Sequence, residues 1–140
     1  MCPTDKTDNL STFTDARGSL TLCTVGREVP FQPQRAYWIH HVPQGSVRGE
    51  HANVVVDEYV VCVHGSVTVD IETAEGKRTY ELASPDCGLV IPAMAWSRQY
   101  NFSSDAVLLV LASENYDRST YIDTYGEWKY KISQSRRDED

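Results

Sequence analysis

Nowhere in this sequence does an apolar run approach the ~20 residues needed to span a bilayer, which argues against a membrane-spanning helix. The opening MCPTDKTDNLSTF lacks the basic end and apolar segment of a secretory leader, so a cytoplasmic chain is expected. Cys2, Cys23, Cys62 and Cys87 form no C-x-x-C pair; reduced, mostly buried thiols are expected, not disulfides or zinc ligands. Positive charge is scarce. With 13 Lys and Arg against 20 Asp and Glu, the net charge of −7 disfavours general attraction to nucleic acid or an anionic membrane. Recognition of an anion must then rest on a few placed arginines. No internal repeat and no linker breaks the 140 residues, which predicts a single domain over 1–140. Its ends are polar: about 1–12 is expected to be loose, and SQSRRDED, about 133–140, to form a frayed tail.

Between those ends lie short runs rich in β-formers. SLTLCT (19–24), RAYWIHH (35–41), EYVVCVH (58–64), SVTVDIE (66–72), KRTYEL (77–82), GLVI (88–91) and DAVLLVLAS (105–113) are candidate strands. His64-Gly65-Ser66 and Ala74-Glu75-Gly76 supply turns between neighbours, so the middle of the chain reads as a meander. Many short strands with regular turns favour an all-β sandwich or small barrel. Only RSTYIDTYGEWKYKI (118–132) looks helical, with Tyr121, Ile122, Tyr125, Trp128 and Ile132 near a 3.6-residue period and Gly126 expected to end or bend the helix. Its aromatic residues are expected to pack against the barrel or a partner subunit.

The stretch RGEHANVVVDEYVVCVHG (48–65) has the spacing of a metal-binding hairpin with Asn53 where a second histidine would stand. A second half, Pro-x-Gly-x-x-His followed by Asn, overlays PAMAWSRQYN (92–101), where Pro92 and Asn101 fit while Met94 and Ser97 replace the glycine and histidine. Of four potential ligands only His51 and Glu58 remain. Neutral amide and hydroxyl oxygens are poor substitutes for imidazole or carboxylate on a first-row divalent ion, so no metal and no other cofactor is expected. The spacing still specifies the fold, because it describes the hairpin of a cupin-type double-stranded β-helix, a jelly-roll barrel, with a short C-terminal helix.

Side chains two apart on a strand share a face, so His51 and Asn53 are expected to point into the barrel, with Glu58 joining from the next strand. A lone histidine in a β-core is commonly a structural one satisfied by hydrogen bonds. Here Arg48 is close in sequence, and the strand RAYWIHH puts Arg35, Tyr37 and Ile39 on one face. An imidazole, a phenol and guanidinium groups in one pocket suit acid–base work on a small anionic substrate. Glu58 is better explained by pairing with a barrel arginine or hydrogen bonding inside the barrel than by catalysis. His40 and His41 must face opposite sides of their strand, and with His64 at its turn they read as surface or structural.

Beyond these features, FTDARGSL (13–20), VPFQPQRAYWI (29–39), RGEHAN (48–53), VCVHGSVTV (61–69), SPDCGLVIPAMAW (84–96) and FSSDAVLLVLASENYD (102–117) together resemble the dTDP-sugar 3,4-ketoisomerases, over about 13–132. The resemblance implies metal-free conversion of dTDP-4-keto-6-deoxy-D-glucose to a dTDP-3-keto-6-deoxyhexose, in a homodimer that exchanges N-terminal strands. Such products commonly pass to an aminotransferase to make 3-amino-3,6-dideoxy sugars. It also implies that His51 is the principal catalytic residue and Tyr37 the active-site tyrosine. Arg17, Arg35 and Arg48 would lie near the sugar and pyrophosphate, with Asn53 and Ser97 as further substrate-binding positions. Family members often read His-Ala-His where this chain has His51-Ala52-Asn53, and some carry His or Arg in place of Ser97. Arg17 resembles the branch that yields the galacto-configured product.

The implied chemistry is loss of the C3 proton, an enediolate, and protonation at C4. A neutral imidazole suits the base, and Asn53 could donate to an enediolate oxygen but not shuttle a proton. Three other readings compete: a dTDP-sugar 3,5-epimerase, which shares the substrate and fold but whose histidine–aspartate and tyrosine set is not clearly supplied here, a noncatalytic ligand-binding cupin, and a metal-dependent cupin oxygenase.

Overall fold

The computed structural model describes residues 7–139. Its strands are β1 (Asp8–Asn9), β2 (Ser11–Asp15), β3 (Gly18–Leu22), β4 (Arg35–His40), β5 (Arg48–Asn53), β6 (Glu58–His64), β7 (Val67–Thr73), β8 (Gly76–Leu82), β9 (Cys87–Ile91), β10 (Trp96–Tyr100), β11 (Val107–Ala112) and β12 (Tyr121–Ile122). A 3₁₀ turn (Arg118–Thr120) precedes β12, and one helix, α1 (Tyr125–Glu139), follows it. Two five-stranded sheets, ordered β1-β9-β6-β11-β4 and β12-β5-β10-β7-β8, face each other, and β2-β3 forms a separate hairpin. This is the expected jelly roll.

The alternation that marks the strands in sequence also builds the core. On β11, Leu108, Val110 and Ala112 turn inward, and on β4 Arg35, Tyr37 and Ile39 are half-buried while their neighbours are exposed. With Val60, Cys62, Val67, Val69, Leu82 and Leu89, the side chains of Leu108, Val110, Tyr37 and Ile39 fill the space between the sheets. β6 is covered on both faces, because Tyr59 and Val61 pack outward against Leu10 and Val29.

Four expectations need correction. The segment His64-Gly65-Ser66 does not join paired strands: β6 pairs with β9 and β11, β7 with β8 and β10, so this corner carries the chain from one sheet to the other. Gly65 is required there, since its φ is +71° and a Cβ would lie 2.8 Å from the Ala106 Cα. The helix starts later and ends later than its periodicity suggests. Asp117 caps the 3₁₀ turn, β12 is captured by β5, and Gly126 falls in the first turn of α1, which continues to Glu139 through the segment read as a frayed tail. Residues 8–12, read as loose, contribute to β1 and β2; residues 1–6 of that stretch lie outside the described residues. Finally, Cys87 is disulfide-bonded, whereas Cys23 and Cys62 are free thiols and Cys2 lies outside the described residues.

The helix is anchored by Trp128, which has 0% exposure and donates its indole N–H to the Met94 carbonyl at 2.6 Å. Trp96, Ala52 and Ile122 complete this cluster against the outer side of β5 and β10. The sequence pattern thus placed the aromatic packing correctly while misplacing the helix that delivers it.

Candidate active site

β4, β5, β6, β10 and β11 enclose a cavity of about 220 Å³ between the sheets. Its floor is apolar, formed by Ile39, Val60, Leu108 and Val110, and its polar groups come from particular irregularities of the strands. The most consequential is a bulge in β5. Ser97 pairs with His51 and Arg98 with Gly49, so Glu50 is an extra residue with no partner on β10. Gly49 and Glu50 both take left-handed backbone, with φ of 82° and 55°. In a regular strand Arg48 and His51, three apart, would face opposite sides. The bulge lets both line the cavity.

His51 is half-buried, and its ring and that of Tyr121 are nearly perpendicular, 4.7 Å between centroids. Burial lowers the imidazole's affinity for a proton, the nearby Asp123 raises it, and Arg118 and Arg48 lower it further; the net shift is below the ordinary histidine value. His51 is therefore held in its neutral, basic form. Across the cavity, the Tyr37 hydroxyl donates to Glu58 Oε2 at 2.5 Å. Burial pushes Glu58 above the usual carboxylate range, while the bond from Tyr37 pulls in the opposite sense. Burial and the adjacent carboxylate push Tyr37 up, so its phenol stays protonated.

At the mouth, the Arg35 guanidinium lies 5.0 Å from the centre of the Tyr37 ring and 5.6 Å from that of Tyr116, and its Nε donates to the Glu114 carbonyl. Arg48 adds a second cation. The cavity can thus receive a small molecule bearing an anionic tail, despite the chain's net charge of −7.

The structure brings His51, Tyr37, Arg35, Arg48 and Glu58 together, and leaves three expected site residues out of the cavity lining. Arg17 sits near the tip of the β2-β3 hairpin with a side chain 90% exposed, paired with Asp15 at 2.6 Å. Asn53, read as inward-facing by alternation, is 8% exposed, but its Oδ1 accepts from the Val55 and Val56 amides and its Nδ2 donates to Thr120 Oγ1. Ser97 is buried, and its hydroxyl accepts from Gln99 Nε2 at 3.4 Å. Gln99, Tyr116 and Tyr121 line the cavity and were not singled out from sequence. Gln99 could have been found by alternation from Ser97; the two tyrosines could not, because they arrive on a strap whose path depends on distant partners.

The remaining histidines stay outside. His41 leaves β4 with φ of 55°, so its ring turns back onto that of His40 instead of facing the opposite side. His64 is exposed beside Asp105 at 3.3 Å. Among the described residues, no group of three or more His, Cys, Asp or Glu is arranged to hold a metal ion, and no helix is long and apolar enough to cross a membrane.

Comparison with known proteins agrees with this geometry. The family described as FdtA: WxcM-like, C-terminal matches residues 4–133. The chain is 33% identical over 129 residues to the TDP-4-oxo-6-deoxy-alpha-D-glucose-3,4-oxoisomerase of Aneurinibacillus thermoaerophilus, covering 92% of this chain and 93% of that one. Among solved structures, QdtA, a sugar 3,4-ketoisomerase from Thermoanaerobacterium thermosaccharolyticum in complex with TDP, superposes with a TM-score of 0.87 at 29% identity, covering 92% and 94% of the two chains. The WlaRB TDP-quinovose 3,4-ketoisomerase from Campylobacter jejuni gives 0.83 at 36% identity, covering 88% and 95%. The match extends along both chains, and with it the chain belongs to the FdtA/WxcM-like family of TDP-sugar 3,4-ketoisomerases.

Proposed function

We propose that this protein converts dTDP-4-keto-6-deoxy-D-glucose to a dTDP-3-keto-6-deoxyhexose, with no metal in the proton route. The observation that carries the reading is a single half-buried imidazole, its proton affinity lowered by burial, in one cavity with a hydrogen-bonded phenol–carboxylate pair. His51 takes the proton from C3, and His51 or a relaying water returns a proton to C4. The C3–H bond breaks and a C4–H bond forms. Tyr37 passes the hydroxyl proton of O3 toward O4, with Glu58 behind it as the group that accepts and returns the phenolic proton. The sugar is oxidised at C3 and reduced at C4, so no external redox partner is needed. Arg35 and Arg48 hold the diphosphate at the mouth.

The working form is a homodimer with exchanged N-terminal strands, in the cytoplasm, as one domain. The hairpin supports the dimer. Two strands alone are marginal in water, and Phe13 and Leu20 are 63% and 58% exposed, with Trp38 of β4 at 60%. Exchange would carry Arg17 toward the partner's cavity. Incubating the purified protein with dTDP-4-keto-6-deoxyglucose and following the ring carbons by NMR tests the reading. Transfer of the ketone from C4 to C3 supports it; a ketone retained at C4 with inverted neighbours identifies an epimerase, and binding without turnover identifies a noncatalytic cupin.

A further inference from the structure

Neither ring nitrogen of His51 has a hydrogen-bond partner among the described residues; its ring contact is a T-shaped one with Tyr121. Bases of this kind are ordinarily oriented through the nitrogen that does not react. Here that task falls to a ring delivered by the strap 113–123. Tyr121 and Ile122 pair with Asn53 and Ala52 of β5, and the Val54 amide donates to the Thr120 carbonyl at 3.0 Å. A side-chain clasp reinforces these bonds. Asn53 Nδ2 donates to Thr120 Oγ1 at 2.9 Å, and the Thr120 hydroxyl donates onward to the Asp117 carbonyl at 2.8 Å.

The carboxamide of Asn53 serves two segments at once. Its oxygen closes the turn after β5 by accepting from the Val55 and Val56 amides at 3.0 Å each, and its amino group reaches the strap. A carboxylate of that length could accept both amides but has no proton for Thr120, and a hydroxyl is too short to span both. We propose that Asn53 is a positioning residue: it clasps the strap to β5 through Thr120 and so holds Tyr121 against His51, fixing the plane of the imidazole in the cavity. The proposal rests on His51 as the proton-transfer group and deepens that reading.

Displacing the strap has a predictable sign. Arg48 faces His51 from β5, Tyr121, Arg118 and Asp123 from the strap, and Arg35, Tyr37 and Glu58 from across the cavity. Arg118 and Asp123 pair with each other and act on the imidazole in opposite senses, so burial is the dominant influence the strap supplies. Opening it moves the His51 titration up toward the ordinary histidine value.

Thr120→Val removes the clasp's acceptor while keeping a β-branched shape. The variant is expected to lose about tenfold in kcat with a smaller change in KM, within the range that misplacing a reacting group costs. NMR titration of the ligand-free protein should show the His51 midpoint raised. Thr120→Ser, which keeps the hydroxyl, should restore both. Asn53→Ala combined with Thr120→Val should fall no further in kcat than Asn53→Ala alone, since each removes the same clasp. Should Asn53→Ala not fold, the two Thr120 variants decide the matter. Parental kcat and an unmoved His51 midpoint in Thr120→Val overturn the proposal, as does a fall in kcat with the midpoint unmoved. If the parent protein itself moves no ketone, the functional reading has failed, and the titration of the ligand-free variants still decides whether the clasp exists.

Discussion

The sheet that carries His51 borders a polar concavity on each side of β5 and β10, and the larger of these has the weaker claim to chemistry. The outer groove, about 600 Å³, is lined by Glu50, Asp70, Glu72, Trp96 and Arg98 among others. Its two central carboxylates, Asp70 and Glu72, are already engaged. The Asp70 carboxylate accepts from Thr79 at 2.8 Å and Tyr100 at 3.0 Å, with Lys77 and Arg98 at 3.5 and 3.6 Å. Glu72 accepts from Tyr125 and Lys129. In the inner cavity, both nitrogens of His51 and the whole guanidinium of Arg48 have no protein partner among the described residues. A half-buried imidazole with both nitrogens free among the described residues, not volume, marks the inner face as the reactive one.

The sharpest way to break that contrast is His51→Asn. Turnover should fall by at least ~100-fold, as for other positioned acid–base groups, while the thermal melt stays near the parent's because no hydrogen bond to the ring is lost. In the parent, kcat/KM should hold on descending through the ordinary histidine midpoint of 6.5 and fall only at more acid pH, because burial keeps the imidazole neutral there. Turnover near the parent's in a folded His51→Asn protein would remove the mechanism.

Gly49→Ala tests how the inner face is assembled. A Cβ there would lie 3.0 Å from both Gln99 Oε1 and the Ser97 carbonyl, on backbone with φ of +82°. The cost is about 1–3 kcal/mol. Because relief requires the bulge to shift, Arg48 and His51 lose their common facing, and kcat should drop about tenfold even in the folded fraction. A melt lowered with kcat intact would show that the bulge serves stability alone.

These same places mark the limit of what could be read from the chain. Alternation located β4, β6, β7, β8, β9 and β11 to within a residue or two, and the hairpin spacing around His51 identified the barrel. Arg35, Tyr37 and Ile39 share a face as the period of two requires. That period fails where an extra residue enters β5, so the joint facing of Arg48 and His51 was assumed from sequence proximity and turns out to depend on Glu50. Asn53 was read inward for the same reason. Its partner Thr120 is 67 residues away, a separation no local pattern registers. The strap was taken for helix because Tyr121, Ile122, Tyr125, Trp128 and Ile132 satisfy a helical spacing, yet the first two are a strand paired to β5 and only the last three lie in α1. Glu58 was read as paired or hydrogen-bonded inside the barrel, and the Tyr37 phenol is the group bonded to it.

The smallest catalytic effect is expected on the outer face. Asp70→Asn keeps the side chain's shape and lets its oxygen still accept from Thr79 or Tyr100, but removes the charge that Lys77 and Arg98 approach. Arg98 Nε is already buried without a hydrogen bond, so its charge would lose the nearest compensation. Stability should fall by about 1–3 kcal/mol in a denaturant melt, the range for a buried polar group left poorly satisfied, with kcat within about twofold of the parent. Asp70 and His51 belong to strands that both pair with β10, through Arg98 and Ser97. A loss of turnover in Asp70→Asn approaching that of His51→Asn, without a comparable loss of fold, would mean that β10 transmits strain between the faces and that the outer groove is part of the working site.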